Sequence, residues 1–120
     1  MVLKRIEPTE GDRTMLSLAL RSYEKSGFEV YVLEFEGGEG RYTLGYHLRG
    51  RNGATHEFRL QKFNKGILKK LWIISHARSG DIGFSYSRGL ANALGECEKL
   101  MDGRSPSFSS MEEVARAALL

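Results

Sequence analysis

Three runs of alternating residues, FEVYVLEFE (28–36), RYTLGYHLRG (41–50) and THEFRLQKF (55–63), follow one another near the middle of the chain. Each run is rich in aromatic and β-branched residues, and glycines separate it from the next run, which is typical of strands joined by short turns. The sequence therefore predicts a three-stranded antiparallel meander over residues 28–63.

The loop between the second and third runs decides how these two strands align. A loop of Arg51-Asn52-Gly53 pairs Tyr46 with Phe58, and Gly53 takes the left-handed position of a bulged turn. A shorter Asn52-Gly53 turn sets apolar residues against charged ones, because a slip of one residue inverts a whole face. We therefore predict the longer loop, which also places His47 opposite Glu57 on the other face.

The first hairpin is predicted on the same grounds, with a loop at residues 37–40. It pairs Phe35 with Tyr42, Leu33 with Leu44, Tyr31 with Tyr46 and, at the sheet end, Arg41 with Glu36. The other face then carries Val30 and Val32 among charged residues, which suggests contact with a second copy of the chain. The sheet side of the core is predicted to be Tyr31, Leu33, Phe35, Tyr42, Leu44, Tyr46, Leu48, Phe58 and Leu60.

The spacing of apolar residues predicts helices on both sides of this meander. The first helix has Asp12 as its N-cap and ends at Gly27. Residues 65–78 are predicted as a helix, although LWIIS within them is also typical of a strand, and residues 81–87 are predicted as a strand. A helix over 88–102 closes at Gly103, and a capping box of Ser109 or Ser110 with Glu112 or Glu113 begins the last helix.

Taken together, these elements predict one α+β domain over residues 1–120. An antiparallel sheet of three to five strands packs against amphipathic helices, in the order α-β-β-β-α/β-β-α-α. A length of 120 residues with 41% hydrophobic residues suits one core. The single cysteine, the lack of a signal-peptide run and the lack of a long apolar stretch together predict a cytoplasmic protein without a membrane span.

Candidate chemistry is sparse. The histidines His47, His56 and His76 are not spaced like metal ligands on one element, and Cys97 falls on the apolar stripe of its helix, as a buried thiol does. We predict no catalytic residue, metal or cofactor. A small acid–base enzyme using His47 with Glu57 is the remaining enzymatic hypothesis, and it requires a cleft at that pair.

Charge is the strongest functional signal in the sequence. Residues 41–80 hold nine lysines and arginines and one carboxylate, a net charge of +8, whereas residues 1–40 carry −3 and residues 81–120 carry −2. A concentrated positive segment of this kind attracts polyanions or acidic protein surfaces. The predicted contact residues are Arg49, Arg51, Arg59, Lys62, Lys65, Lys69 and Lys70.

Two likenesses to known folds accompany this signal. The α-β-β-β-α order resembles that of several RNA-binding modules, including the double-stranded-RNA-binding fold. Separately, RYTLGYHLRG (41–50), THEFRL (55–60) and SFSSMEEVA (107–115) resemble fragments of the SH2 domain, which implies peptide recognition. The run FEVYVLEFE lacks the phosphotyrosine-binding arginine of that family, so no SH2 binding residue is carried over.

These observations predict a small non-enzymatic binding module that contacts the RNA or DNA backbone through its basic central segment. The alternative is a protein-interaction module or inhibitor that docks on an acidic protein surface. A homodimer is a further expectation, and a divergent SH2-like peptide-recognition module is the remote option.

Overall fold

The computed structural model describes residues 4–64, 71–78 and 80–118. Its elements in chain order are β1 (Arg5–Ile6), α1 (Glu10–Lys25), β2 (Glu29–Glu36), β3 (Gly38–Glu39), β4 (Arg41–Arg49), β5 (Thr55–Phe63), β6 (Leu71–Arg78), β7 (Asp81–Arg88), α2 (Leu90–Met101) and α3 (Met111–Ala118). Strands β2, β4, β5, β6 and β7 form one five-stranded antiparallel sheet in that order, and β1 pairs with β3. The predicted α+β class and the antiparallel meander are therefore confirmed.

Helices α1 and α2 pack against one face of the sheet, which we call the inner face; the opposite face is the outer face. One buried cluster joins Leu16 and Leu20 of α1, Leu94 and Cys97 of α2, and the inner residues of the sheet. The fully buried inner residues of β4 and β5 are Leu44, Tyr46, Leu48, Phe58 and Leu60. Burying one such side chain contributes about 1.5–3 kcal/mol, so this cluster is the main source of stability.

The predicted alignment of β4 with β5 is confirmed. Tyr46 lies opposite Phe58, and His47 lies opposite Glu57. The loop between these strands is closed by a hydrogen bond of 2.8 Å from the Gly50 N–H to the Ala54 carbonyl, and Gly53 has a φ of 82°. Because this left-handed conformation suits glycine, the turn fixes the register that the apolar pattern favours.

The predicted alignment of β2 with β4 is wrong. Phe35 lies opposite Leu44 rather than Tyr42, Val32 rather than Tyr31 faces Tyr46, and Glu36 faces Thr43 rather than Arg41. The cause is twofold. A β-bulge interrupts β2 between Val32 and Glu34, and part of the expected loop forms β3, which pairs with β1.

The bulge also changes which residues of β2 are buried. Tyr31 and Leu33, which we predicted in the core, are 52% and 44% exposed. Phe35 packs against the core as predicted, and Val30 does so contrary to prediction. An inserted residue shifts the faces of a strand, and a periodicity of two cannot reveal it.

The helix predicted over residues 65–78 is wrong for residues 71–78, the part of it that the structure describes. Residues 71–78 form strand β6, paired with β5 on one side and β7 on the other, and residues 65–70 lie outside the described residues. Trp72, Ile74 and His76 alternate towards the inner face and are buried. A strand between two others gives every backbone amide a partner, and this outweighs the helical spacing of a short apolar run.

The helix ends follow from their capping residues. Thr9, not Asp12 as predicted, is the N-cap of α1, and Asp12 completes a capping box with it. Gly27 has a φ of 96° just past α1, and Gly103 has a φ of 104° just past α2, as predicted. At α3 the Glu113 N–H donates to Ser110 Oγ over 3.2 Å, which is the predicted cap.

The segment between α2 and α3 lies along the outer edge of β7. Backbone hydrogen bonds of 2.9 Å join Phe84 and Phe108 in both directions. The ring of Phe108 stacks on Tyr86 at 5.8 Å between centroids, and Pro106 occupies the space above Gly83 where a side chain would otherwise stand. These contacts attach the C-terminal part of the chain to the sheet.

Candidate functional site

Those predicted basic residues that the structure describes do not gather on one face of the sheet. Arg59 lies on the outer face, where its guanidinium pairs with Glu57 and, at 3.2 Å, with Glu34. Lys62 lies on the inner face, with its ammonium 5.5 Å from the centre of the Trp72 ring. Arg59 is therefore neutralised by its neighbours, and Lys62 points to a different side of the molecule.

Arg49 and Arg51 both lie at one end of the sheet. Arg49 is the last residue of β4 and is exposed, and Arg51 follows in the exposed β4–β5 loop. Neither forms an ion pair with any carboxylate of the described residues. Lys65, Lys69 and Lys70 lie outside the described residues, so their predicted roles stay predictions.

A cleft of about 560 Å³ lies at this same end of the sheet. We call it the first cleft. It is bounded by the turn after α1, the β4–β5 loop, the end of β6 and the last turn of α2, and its polar lining includes Arg51, Arg78, Glu98 and Asp102. Arg51 packs against Gly27, since a Cβ added there would stand 2.8 Å from Arg51 Nε. The glycine that ends α1 thereby also lets the arginine lie against the backbone.

A second cleft, of about 600 Å³, adjoins the first. It lies between the β6–β7 turn and the segment that follows α2, and His76, Asp81, Arg104 and Glu113 are among its lining residues. Arg78 lines both clefts. Like Arg51, it makes no ion pair among the described residues, although Asp81 is its cross-strand partner. This arginine, which the sequence analysis did not predict as a contact residue, therefore lies where the two clefts meet.

Two histidines lie beneath Arg78. His56 lines the first cleft and His76 the second, and His56 Nδ1 is 2.9 Å from His76 Nε2. The residues are only 4% and 5% exposed. The His76 ring stacks on Phe58, with centroids 4.5 Å apart. The pair thus forms part of the wall between the two clefts.

The electrostatic environment keeps this pair uncharged. Burial is the main cause that lowers the pKa of both rings, and the Arg78 guanidinium lowers both further. The pKa of His76 falls to about 4. Two neutral imidazoles can share one hydrogen bond, in which one nitrogen donates and the other accepts. At neutral pH the positive charge of the clefts therefore comes from arginine side chains.

Other reactive side chains are held in unreactive states. Cys97 is fully buried, and burial raises the pKa of its thiol to about 12. Its predicted place on the apolar stripe of the helix is confirmed. Tyr23 and Tyr46 are buried beside it, and burial raises the pKa of both phenols. A thiol so rarely ionised is a poor nucleophile.

The His47–Glu57 pair is present but lies away from the clefts. His47 Nδ1 is 3.9 Å from Glu57 Oε1, and Glu57 also binds Arg59. Neither residue lines a cleft found in the described part of the chain. The cleft that the acid–base hypothesis requires is therefore not found there. Within residues 4–64, 71–78 and 80–118, no group of three or more His, Cys, Asp or Glu side chains is placed to hold a metal ion.

The histidine pair was missed in the sequence because the strand that carries His76 was predicted as a helix. The signal was available: in LWIISHAR (71–78), Trp72, Ile74 and His76 alternate, as His56 and Phe58 do in the previous strand. His76 lies opposite Phe58, two residues from His56, and side chains at such diagonal positions on one face of two adjacent strands can reach each other.

Comparison of the chain with known proteins gave no match to any family model, curated protein or solved structure. No helix of the described residues is long and apolar enough to cross a membrane.

Proposed function

We propose that this protein is a small non-enzymatic binding module that contacts the phosphate backbone of RNA or DNA at the clefted end of its sheet. The observation that carries the proposal is that Arg51 and Arg78 both line the first cleft and that neither has an ion-pair partner among the described residues. Arginines that are not neutralised by nearby carboxylates retain their full attraction for phosphate.

The shape of the site suits a backbone ligand. Arg49 adds a third exposed cation next to the β4–β5 loop, and the two adjoining clefts share Arg78. Glu98 and Asp102 also line the first cleft, on the α2 side. An anion is therefore attracted to the loop side and repelled from the helix side, which gives the bound strand a preferred path.

The proposal assigns different roles to the residues predicted from the sequence. Arg49 and Arg51 contact phosphate together with Arg78, and Lys65, Lys69 and Lys70 remain proposed contacts. Arg59 and Lys62 are left out, because one is ion-paired and the other lies over Trp72. We further propose a cytoplasmic location, which suits a chain with a single, buried, free cysteine.

The test is a binding series with labelled single- and double-stranded RNA and DNA at several salt concentrations. Arg51→Gln and Arg78→Gln are each expected to weaken binding. Each should also reduce the slope of log affinity against log salt by about 0.7–0.9, the effect of one lost phosphate contact. Arg59→Gln is the matched control, since it removes an equal charge from the chain at a site already neutralised by glutamate.

Three outcomes would overturn the proposal: no binding to any of the four probes, an affinity that does not change with salt, or equal effects of all three substitutions. Capture of a protein partner that survives nuclease treatment and depends on Arg51 would instead favour docking on an acidic protein surface. Circular dichroism of each variant separates lost binding from lost folding.

A further inference from the structure

The first cleft contains side chains of opposite charge that do not pair with each other. Arg51 and Arg78 line it from the β4–β5 loop and the end of β6, and Glu98 and Asp102 line it from the last turn of α2. None of the four forms an ion pair with another described residue. The cleft therefore suits a ligand that carries an anion at one end and N–H donors at the other.

The two carboxylates lie where a helix alone does not favour them. Glu98 and Asp102 are four residues apart, which places them on the same side of α2, and Asp102 is the C-cap of that helix. Like charges at this spacing repel each other, and the C-terminal end of a helix disfavours anions. Lys99, the basic residue of the same turn, forms an ion pair with neither. Local arrangements that lower stability in this way are typical of functional sites.

The cleft also has an aromatic lining. Tyr23 and Phe28 both line it, and their ring centroids lie 6.1 Å apart with the planes at 83°. Phe28 is half-buried, so part of its side chain is accessible from the cleft. Aromatic rings of this kind are the surfaces on which unpaired nucleobases stack.

The charges divide the lining of the cleft into a cationic and an anionic part. Burial is the main cause that lowers the pKa of His56, and Arg78 lowers it further. Burial is also the main cause that raises the pKa of Tyr23, and Glu98 and Asp102 raise it further. A positive field therefore acts at one residue of the lining and a negative field at another.

Among the nucleobases, guanine matches this division best. Its Watson–Crick edge has two adjacent donors, N1–H and the 2-amino group, and a carboxylate accepts from both as it does from the guanidinium of arginine. Adenine and cytosine have an acceptor nitrogen beside their amino group, and uracil has carbonyls beside its single N–H, so these edges repel a carboxylate. The phosphate of the same nucleotide suits arginine. A cleft of about 560 Å³ is within the range that single small ligands occupy.

We infer that the first cleft binds one unpaired guanine nucleotide. Its phosphate lies at Arg51 and Arg78, its base against Phe28, and its Watson–Crick edge at Glu98 and Asp102. The inference rests on the proposed function, in which this nucleotide belongs to a single strand of RNA or DNA. In a duplex the same edge is paired with cytosine and the base is stacked between its neighbours, so the single strand should bind more tightly than its duplex.

The test compares labelled oligouridine strands that differ only in their central base, which is guanosine, inosine or uridine. Inosine lacks the 2-amino group and is otherwise identical to guanosine. The guanosine strand should therefore bind about tenfold more tightly than the other two, the effect of one lost hydrogen bond to a charged group. Fluorescence polarisation measures the affinities, and the guanosine strand annealed to its complement supplies the duplex.

Glu98→Gln and Asp102→Asn should each remove most of this preference, because an amide presents a donor where the carboxylate accepts. Glu36→Gln is the matched control and should keep the preference. Glu36 is the exposed last residue of β2, and it lines no cleft found in the described part of the chain. All three positions are exposed, so the variants are expected to fold, and circular dichroism verifies that.

Free guanosine monophosphate is the probe for the cleft without a strand. In nuclear magnetic resonance spectra of the full chain, it should shift the amide signals of residues 26–28, 51–54 and 98–102. Glu98→Gln should weaken its binding, whereas Glu36→Gln should not. Inosine monophosphate should bind more weakly to the parent protein, for the same reason as the inosine strand.

Equal affinity for the three strands, a preference that survives both carboxylate substitutions, or a duplex that binds as tightly as the single strand would each overturn the inference. Salt-dependent binding that needs Arg51 and Arg78 would still support the proposed function in those cases. Binding of free guanosine monophosphate in the cleft, without binding of any strand, would contradict the proposed function and support the guanine site. No binding of strand or free nucleotide overturns both.

Discussion

At the scale of single residues, the least usual feature is the hydrogen bond between His56 and His76. It joins two nearly buried imidazoles over 2.9 Å. The hydrogen bond needs one ring nitrogen that accepts. If the accepting ring were protonated, two N–H donors would face each other. The positive charge of Arg78 adds to the cost of that protonation.

This pair should make the protein less stable in acid. The pKa of His76 is lowered from 6.5 to about 4 in the folded protein, so between these pH values the unfolded chain binds the proton and the folded chain does not. The free energy of unfolding therefore falls as pH decreases from 6.5 towards 4. The loss is up to about 1.4 kcal/mol per pH unit, or about 2 kcal/mol by pH 5. Urea unfolding at several pH values measures it.

His47→Gln serves as the control for this experiment, because it removes a histidine of the outer face that takes no part in the hydrogen bond between His56 and His76. It should keep the pH dependence of the parent, whereas His76→Gln should flatten the curve between pH 6.5 and 5. A parent protein equally stable at both pH values would show that the pair tolerates protonation.

At the scale of the elements, the sequence predicted best where two independent signals agreed. The alternation of Tyr46 and Phe58 and the glycine at position 53 both required the same alignment of β4 with β5. For β2 the only signal was alternation. Because Leu33 is an inserted residue, the residues before it lie on the faces opposite to those that the alternation predicted. For β6 the spacing of a short apolar run fitted two structures, and pairing with strands distant in sequence decided between them.

The clefts show the same limit on prediction. Arg51 could be proposed as a contact from its place in a basic loop. Its partnership with Arg78, and that of His56 with His76, required the position of β6 in the sheet. Charge along the chain therefore predicted some of the candidate residues. Only the three-dimensional fold separated Arg59, which is ion-paired, from Arg51, which makes no ion pair with the residues that the structure describes.

Gly83 is expected to control how the segment before α3 attaches to β7. A Cβ at this position would overlap the ring of Pro106. Gly83→Ala should therefore displace the segment from the sheet and expose residues 104–110 to protease under conditions in which the parent resists cleavage. Limited proteolysis followed by mass spectrometry measures the change.

Gly95→Ala is the contrasting substitution, since no atom lies within 4 Å of its added Cβ. In the middle of α2 it should stabilise the protein by about 0.5–1 kcal/mol through helix propensity. Unchanged protease resistance in Gly83→Ala would mean that the segment is attached mainly by Phe108.

At the scale of the whole molecule, one buried cluster connects the sheet to both long helices. Leu44, which is fully buried, lies in that cluster, and Trp72 in the same cluster is 2% exposed. Leu44→Ala should lower the free energy of unfolding by about 2–5 kcal/mol, because it removes apolar contact and leaves a cavity. Trp72 fluorescence and far-ultraviolet circular dichroism should report the same shifted transition.

Leu33→Ala is the matched control, since the same change at a 44% exposed position should cost far less. Separate transitions by the two probes would show that the sheet and helices unfold independently. Equal losses from both substitutions would contradict the observed burial.

The two edges of the sheet differ, and this difference limits how the protein can assemble. The backbone bonds between Phe84 and Phe108 occupy part of the edge of β7, whereas the outer edge of β2 pairs with no strand in the part of the chain that the structure describes. Strand-by-strand polymerisation needs both edges free, so a chain with one free edge stops after a single addition. Detachment of residues 104–110 would remove this stop, and variants that loosen them should form fibrils more readily than the parent.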